Sequence, residues 1–325
     1  MRRREFVAGV AALVAVNRPF RTYAQQVARR PRIGVLIYST PEQDPNTQAF
    51  VGGLRQLGYT DGQNVSIEYH FAQARPERLP GLAAALVGSK PDVIFALGGD
   101  VTPHVAKATQ TIPIIYAISP DPVLLGLAAS LAKPGGNSTG VTLLSDQLAA
   151  KRLEIFKEAA PRLSRVGIVR DPSHADNEMP VAQRAAQSLK LELQPVEMRD
   201  PADIDRALGA AKQANVDGLY VVSSRQTTTN VQRIVDYAIR ERLPLVGGWG
   251  GWVQAGGLMS YGPNVPDMVR QASTYVDKVL KGAKPGDLPI QQPTRFELLV
   301  NQKTAKVLGL NIPDSFLLRA EKVIE

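Results

Sequence analysis

The feature that most constrains this chain is a strand-and-helix pattern that runs twice, from Arg32 to about Ser119 and again from Arg165 to about Gly248. In the first run, short stretches at 33–38, 65–69, 93–97 and 114–118 are rich in β-branched and aromatic residues. Stretches of helical period at 48–57 and 79–87 lie between them, with turn signals at Gly58, Asp61-Gly62 and Lys90-Pro91-Asp92. That alternation predicts βαβ units and a parallel sheet with helices on its faces. The second run repeats the order at 165–169, 191–196, 218–222 and 243–247, and its connections recur too. Asn215-Val216-Asp217-Gly218 stands where Lys90-Pro91-Asp92-Val93 stood, and Arg242-Leu243-Pro244 where Thr111-Ile112-Pro113 stood. The expected fold is α/β, two similar open, Rossmann-like parallel sheets that face each other across a cleft.

A chain of 325 residues exceeds what one hydrophobic core usually serves and suits two lobes. The formal net charge of +8 is unevenly spread: Arg2, Arg3, Arg4, Arg18 and Arg21 against Glu5 give residues 1–24 a net +4, so only +4 remains beyond them. No basic run with interleaved aromatics occurs in that remainder, which argues against a nucleic-acid partner. The first residues read as an address. A twin-arginine pattern, Arg3-Arg4-Glu5-Phe6-Val7, precedes an apolar run at 7–16 and then Thr22-Tyr23-Ala24. The run is too short to span a bilayer. A signal peptide over 1–24, cleaved after Ala24, and a periplasmic destination are therefore expected, an uncleaved amphipathic leader being the alternative. The chain has no Cys, which excludes disulfides, thiolate metal sites, a cysteine nucleophile and a lipidated N-terminal Cys.

Motifs for covalent chemistry lack their context. Gly136-Asn137-Ser138-Thr139-Gly140 fits the nucleophile-elbow spacing, but a turn precedes Ser138 and a strand at 140–144 is expected after it, the reverse of what the elbow needs. Ser138 is better read as part of a crossover between lobes, with a serine hydrolase as the lesser alternative. His70, His104 and His174 show no metal-ligand spacing, so no metal is expected. Tyr38-Ser39-Thr40-Pro41-Glu42 stands where a dinucleotide site would carry its glycine fingerprint, and no cofactor is expected.

Ligands of open α/β sheets bind outside the carboxyl ends of the strands. Those ends carry the candidate binding residues: Tyr38, Ser39, Gly98, Gly99, Asp100, Ser119 and Asp121 in the first run, and Asp171, Ser223, Ser224 and Trp249 in the second. Glycines let a ligand approach the backbone, hydroxyls can hold a carboxylate, and Asp121 or Asp171 could pair with an ammonium. Trp249, in Gly247-Gly248-Trp249-Gly250-Gly251-Trp252, would supply a stacking wall. The competing reading of the serines and aspartates is helix capping and turn formation.

Three separated stretches carry a family resemblance: Leu131-Ala132-Lys133-Pro134-Gly135-Gly136-Asn137-Ser138-Thr139-Gly140-Val141, then Ala255-Gly256-Gly257-Leu258-Met259-Ser260-Tyr261-Gly262-Pro263, then a tail from Asp287 through Phe296 to Lys306. In these the chain resembles the substrate-binding proteins of ABC transporters, in the family with tryptophan- and phenylalanine-binding members and a type I periplasmic-binding-protein fold. Asp121-Pro122-Val123 also fits the family, whereas Pro120, the loop at 171–177 and the Gly-Trp-Gly-Gly-Trp stretch depart from it. The resemblance implies hinge crossings near 140–141, 261–262 and 289–294. It implies one lobe of 32–140 plus about 262–290, and another of 141–261 plus about 291–325. It further implies a monomeric, non-enzymatic receptor that closes on a small organic ligand, an amino acid or an aromatic or hydrophobic carboxylate, and delivers it to an ABC permease and its ATPase. A ligand-sensing partner of a signalling receptor is the alternative role.

Overall fold

The computed structural model describes residues 29–40, 44–200 and 203–325; the expected signal peptide at 1–24 lies outside the described residues. Two sheets organise residues 31–325. The first comprises β1 (Arg32–Ile37), β2 (Ser66–Phe71), β3 (Val93–Leu97), β4 (Ile114–Ile118) and β5 (Ser138–Thr142), all parallel, in the order β2-β1-β3-β4-β5. Strands β3, β4 and β5 are buried at every position, as expected of strands covered on both faces. Helices α1 (Pro45–Gln56), α2 (Leu79–Gly88) and α3 (Thr102–Ala108) provide part of that cover.

The second sheet takes β6 (Arg165–Arg170), β7 (Glu192–Glu197), β8 (Gly218–Val221), β9 (Leu245–Gly247), β10 (Met259–Gly262), β11 (Glu297–Asn301) and β12 (Lys322–Ile324), in the order β12-β11-β10-β9-β8-β6-β7. It departs from the all-parallel expectation in one place: β11 runs antiparallel to β10, because the chain reaches it from the other lobe. Around this sheet stand α4 (Ala149–Ala159), α5 (Glu178–Leu189), α6 (Ile204–Gln213), α7 (Arg225–Thr229), α8 (Val231–Arg240) and α9 (Gly251–Gln254). The strand expected at 140–144 begins two residues earlier, which puts Ser138 inside β5 rather than in a crossover. The chain leaves the first sheet only after Thr142.

Helix α10 (Val265–Leu280) follows β10 yet packs on the first sheet. Its Met268, Val269, Ala272, Tyr275 and Val276 share a core with Phe50 and Leu54 of α1 and with Ile33, Val35 and Phe95, and the rings of Phe50 and Phe95 stack with centroids 3.8 Å apart. After α10 the chain touches β5 once more, where Thr142 N–H donates to the Gln291 carbonyl, and then enters the second sheet at β11. Three passages therefore join the sheets, at 143–148, 263–264 and 291–296. Helices α11 (Gln302–Leu308) and α12 (Asp314–Leu317) complete the second lobe.

The contact between α1 and α10 depends on a missing side chain. A Cβ on Gly53 would lie 2.5 Å from Ser273 Oγ and 2.8 Å from the Arg270 carbonyl, whereas a Cβ on Gly52 would meet nothing within 4 Å. Adjacent glycines of one helix thus have opposite value. Gly52→Ala should stabilise the fold by about 0.5–1 kcal/mol through helix propensity, and Gly53→Ala should destabilise it by roughly 1–3 kcal/mol through overpacking. Chemical denaturation of the two variants measures both.

Candidate functional site

The carboxyl ends of β3, β4 and β5 face those of β8 and β9, and the first turns of α1 and α10 close the sides. Between them lies a cavity of about 620 Å³, counted with the open solvent at its mouth. Its lining combines apolar Leu97, Ala117, Ile118, Leu143, Val265 and Trp249 with polar Asn46, Ser119, Ser145, Ser223, Ser224 and Arg225. Trp249 packs against the hydrophobic cores of both lobes. It also separates this cavity from a second, more polar hollow that reaches Glu297, Glu321 and Lys322.

Of the residues expected from the strand ends, Gly98, Gly99, Ser119, Ser223, Ser224 and Trp249 line the cavity, and Tyr38, Ser39, Asp100, Asp121 and Asp171 do not. Each of these five has a polar atom engaged elsewhere. Tyr38 donates to the Ala74 carbonyl at 3.4 Å, and burial, reinforced by Asp100, pushes its phenol well above the usual range. Ser39 Oγ donates to Asp44 Oδ2 at 3.5 Å. Asp121 accepts from the Val123 N–H at 2.8 Å, and Asp171 from Ser173 N–H and Oγ at 2.8 and 2.6 Å, so both aspartates build turns. Burial raises the Asp171 carboxyl above its ordinary value. Ser138 donates its hydroxyl hydrogen to the Leu127 carbonyl at 2.7 Å and fastens a loop to β5.

Asp100 instead bridges the lobes. One oxygen pairs with His174 Nδ1, and the other accepts the Arg225 backbone N–H at 2.8 Å. Ser119 adds a further link, its hydroxyl donating to the Ser223 carbonyl at 2.9 Å. The second ionic link was not expected from sequence: Arg225 Nη2 reaches across to the carboxylate of Asp44, the residue that caps α1. Arg225 stands beside the Ser223-Ser224 pair at the same strand end, so position pointed to it; its direction across the cleft had no local signal. Gly98 makes room for it. With φ near +115°, it holds a conformation that side chains rarely adopt, and a Cβ there would lie 2.6 Å from Arg225 Cδ.

Beneath the cavity, Arg152 is fully buried. Its Nη1 donates to Glu178 Oε2 at 2.7 Å and to the Tyr220 hydroxyl at 2.6 Å, its Nε to the Tyr261 carbonyl at 3.0 Å, and its Nη2 to Ser145 Oγ at 3.3 Å. A Cβ on Gly248 would come within 2.9 Å of that Nη2, so the backbone of the cavity floor rests directly on the guanidinium. Burial keeps the Tyr220 phenol protonated, and its hydroxyl donates to Glu178 at 2.9 Å.

Two mostly parallel lobes with a cleft at their facing strand ends define a solute-binding protein of the type I periplasmic-binding-protein fold. The chain belongs to the family of ABC transporter substrate binding proteins, whose model matches residues 32–324. It is 28% identical over 273 residues to the tyrosine-binding protein of Clostridioides difficile strain R20291, covering 83% of this chain and 78% of that one. A conserved domain protein from Vibrio cholerae superposes with a TM-score of 0.84 at 28% identity, over 91% of this chain and all of that one. The ABC domain from Streptococcus pneumonia in complex with L-Trp superposes with a TM-score of 0.82 at 26% identity, with the same coverage. Such proteins bind solutes and are not enzymes. Among the described residues no helix is long and apolar enough to cross a membrane.

The His174–Asp100 contact makes stability depend on pH. Burial disfavours the imidazolium, but the Asp100 carboxylate outweighs it and pushes His174 up to about 9. A raised folded-state value means that the stabilisation is complete below the unfolded value of ~6.5 and is lost as pH rises through 9. The fold should therefore lose up to roughly 3 kcal/mol between pH 6.5 and 9, a loss that His174→Gln abolishes. Burial and then Glu178 raise Asp176 to about 6, and its contribution falls away separately between about 4 and 6. Urea titrations from pH 4 to 9.5 resolve the two windows.

Proposed function

We propose that this chain is the extracytoplasmic receptor of an ABC importer and captures an aromatic amino acid between its lobes. The observation that carries this reading is the mixed lining of one cavity, where Trp249 and several aliphatic side chains occur together with Arg225 and Asn46. A ligand with a flat apolar group and a charged head suits that lining. The L-Trp bound by the pneumococcal neighbour and the tyrosine of the clostridial relative's name support the same class.

In this reading the lobes divide at the three passages, 143–148, 263–264 and 291–296, a few residues beyond the expected 140, 261 and 290, and closure about them buries the ligand against Gly98, Gly99, Ser119, Ser223, Ser224 and Trp249. The ligand favours the closed form through its greater affinity for it, and a permease with its ATPase recognises the closed monomer. Export by the leader at 1–24 delivers the receptor to the periplasm.

Thermal unfolding and calorimetry of the chain from Gln25 onward test the reading. L-tryptophan, L-tyrosine or L-phenylalanine should raise the melting temperature, by an amount worth about 2.7 kcal/mol at a hundredfold excess over Kd. Trp249→Ala should weaken that binding by about 1.5–3 kcal/mol. Stabilisation by sugars or nucleosides and by none of these amino acids would overturn it.

A further inference from the structure

We infer that Arg225 and Asn46 form the receptor for the ligand's charged head, with Arg225 Nε donating to its carboxylate and Asn46 Oδ1 accepting from its ammonium. The inference rests on the reading of the ligand as an amino acid and adds which atoms recognise it. Both side chains line the cavity, one from each lobe, with only 7% and 2% of their surface exposed. In both, the named atom is buried without a hydrogen-bond partner. A buried polar atom left unpaired forfeits its hydration for nothing. Here one such atom is a donor with positive charge and the other a neutral acceptor, the complement of an α-amino acid head.

The surroundings sharpen the match. Several cavity hydroxyls are already engaged: Ser119 donates to the Ser223 carbonyl, Ser224 accepts from the Thr227 N–H at 3.1 Å, and Thr228 donates to the Ser224 carbonyl at 2.7 Å. Arg225 is fixed at its far end by Asp44, along its stem by Gly98 and at its backbone by Asp100, so the side chain that lines the cavity is not free to turn away. Asp44 Oδ1 also accepts the Asn46 backbone N–H at 3.0 Å, so one carboxylate positions both halves of the receptor. Because Asp44 balances the guanidinium, the site presents a donor edge with little net charge, which suits a zwitterion better than a simple anion.

The test compares L-tryptophan with L-tryptophan amide, which lacks the carboxylate, and with indole-3-propionate, which lacks the ammonium, by calorimetry on the exported chain. The native protein should prefer the acid to the amide by about tenfold or more. Arg225→Gln should weaken tryptophan about 100-fold and erase the preference over the amide, while Asn46→Leu should erase the preference over indole-3-propionate. Asp44→Asn, which removes the group that holds both Arg225 and Asn46, should weaken tryptophan and reduce, without erasing, its preference over the amide and over indole-3-propionate. Arg225→Lys, a conservative change if the glutamine variant fails to fold, should retain a reduced preference for the acid. Equal weakening of acid and amide by Arg225→Gln or Arg225→Lys would make Arg225 a bridge between lobes only and overturn the inference. Tryptophan binding by the native protein in that same experiment would leave the proposed function standing, and binding of none of the three ligands, nor of L-tyrosine or L-phenylalanine, would remove both.

Discussion

Two aspartates of the first lobe, Asp44 and Asp100, meet two cationic side chains of the second, Arg225 and His174, and the shape of the cavity depends on those meetings. Arg225 and His174 are more than nine-tenths buried, as is Asp44. Taking such charges out of water costs nearly as much as their attraction returns, so ion pairs of this kind set geometry more than they supply stability. That balance suits a receptor. In the proposed closing mechanism, such pairs fix how the lobes meet, and a ligand that fills the space between them adds its own binding energy to the meeting.

A cleft of this sort needs lobes that do not themselves yield, and the Arg152 network supplies that in the second lobe. One guanidinium joins α4, α5, β8 and β10 through Glu178, Tyr220 and the Tyr261 carbonyl, all inside the protein. Truncating a member would strand a buried charge, which makes the group rigid as a unit. Its upper edge touches Ser145 and the backbone of Gly248, so the floor of the cavity inherits that rigidity. In the first lobe the same task falls to close packing, where the stacked rings of Phe50 and Phe95 and the seat of α10 on Gly53 leave little slack.

The fold was largely legible in the sequence because local signals carry it: period, turn residues and fully apolar strands point the same way in both halves. The antiparallel β11 was not, since strand direction there follows from the route of the chain between lobes. The site was legible by position and much less by role. Strand ends pointed to Gly98, Ser119, Ser223 and Trp249, but the aspartates chosen for charge alone are spent on turns or on the other lobe. Asp44 and Asn46 were missed because the helical period was read as starting at 48. Arg225 stood in the right place, yet its partner is 181 residues away, and no local pattern encodes a contact of that range.

The same long range explains why polar residues of the cleft divide into two kinds. Ser119, Asp100 and His174 satisfy one another across the gap and so need nothing further when the lobes are together. Arg225 and Asn46 are held in place by Asp44 and still have a buried atom to spare. A residue whose hydrogen-bonding capacity is filled by protein shapes the cavity, whereas one that lines it, is immobilised and is incompletely filled is where we assign the ligand's head. Strand-end position points to Ser119, Asp100 and Arg225 alike and misses Asn46, and only the three-dimensional account of donors and acceptors separates the two kinds.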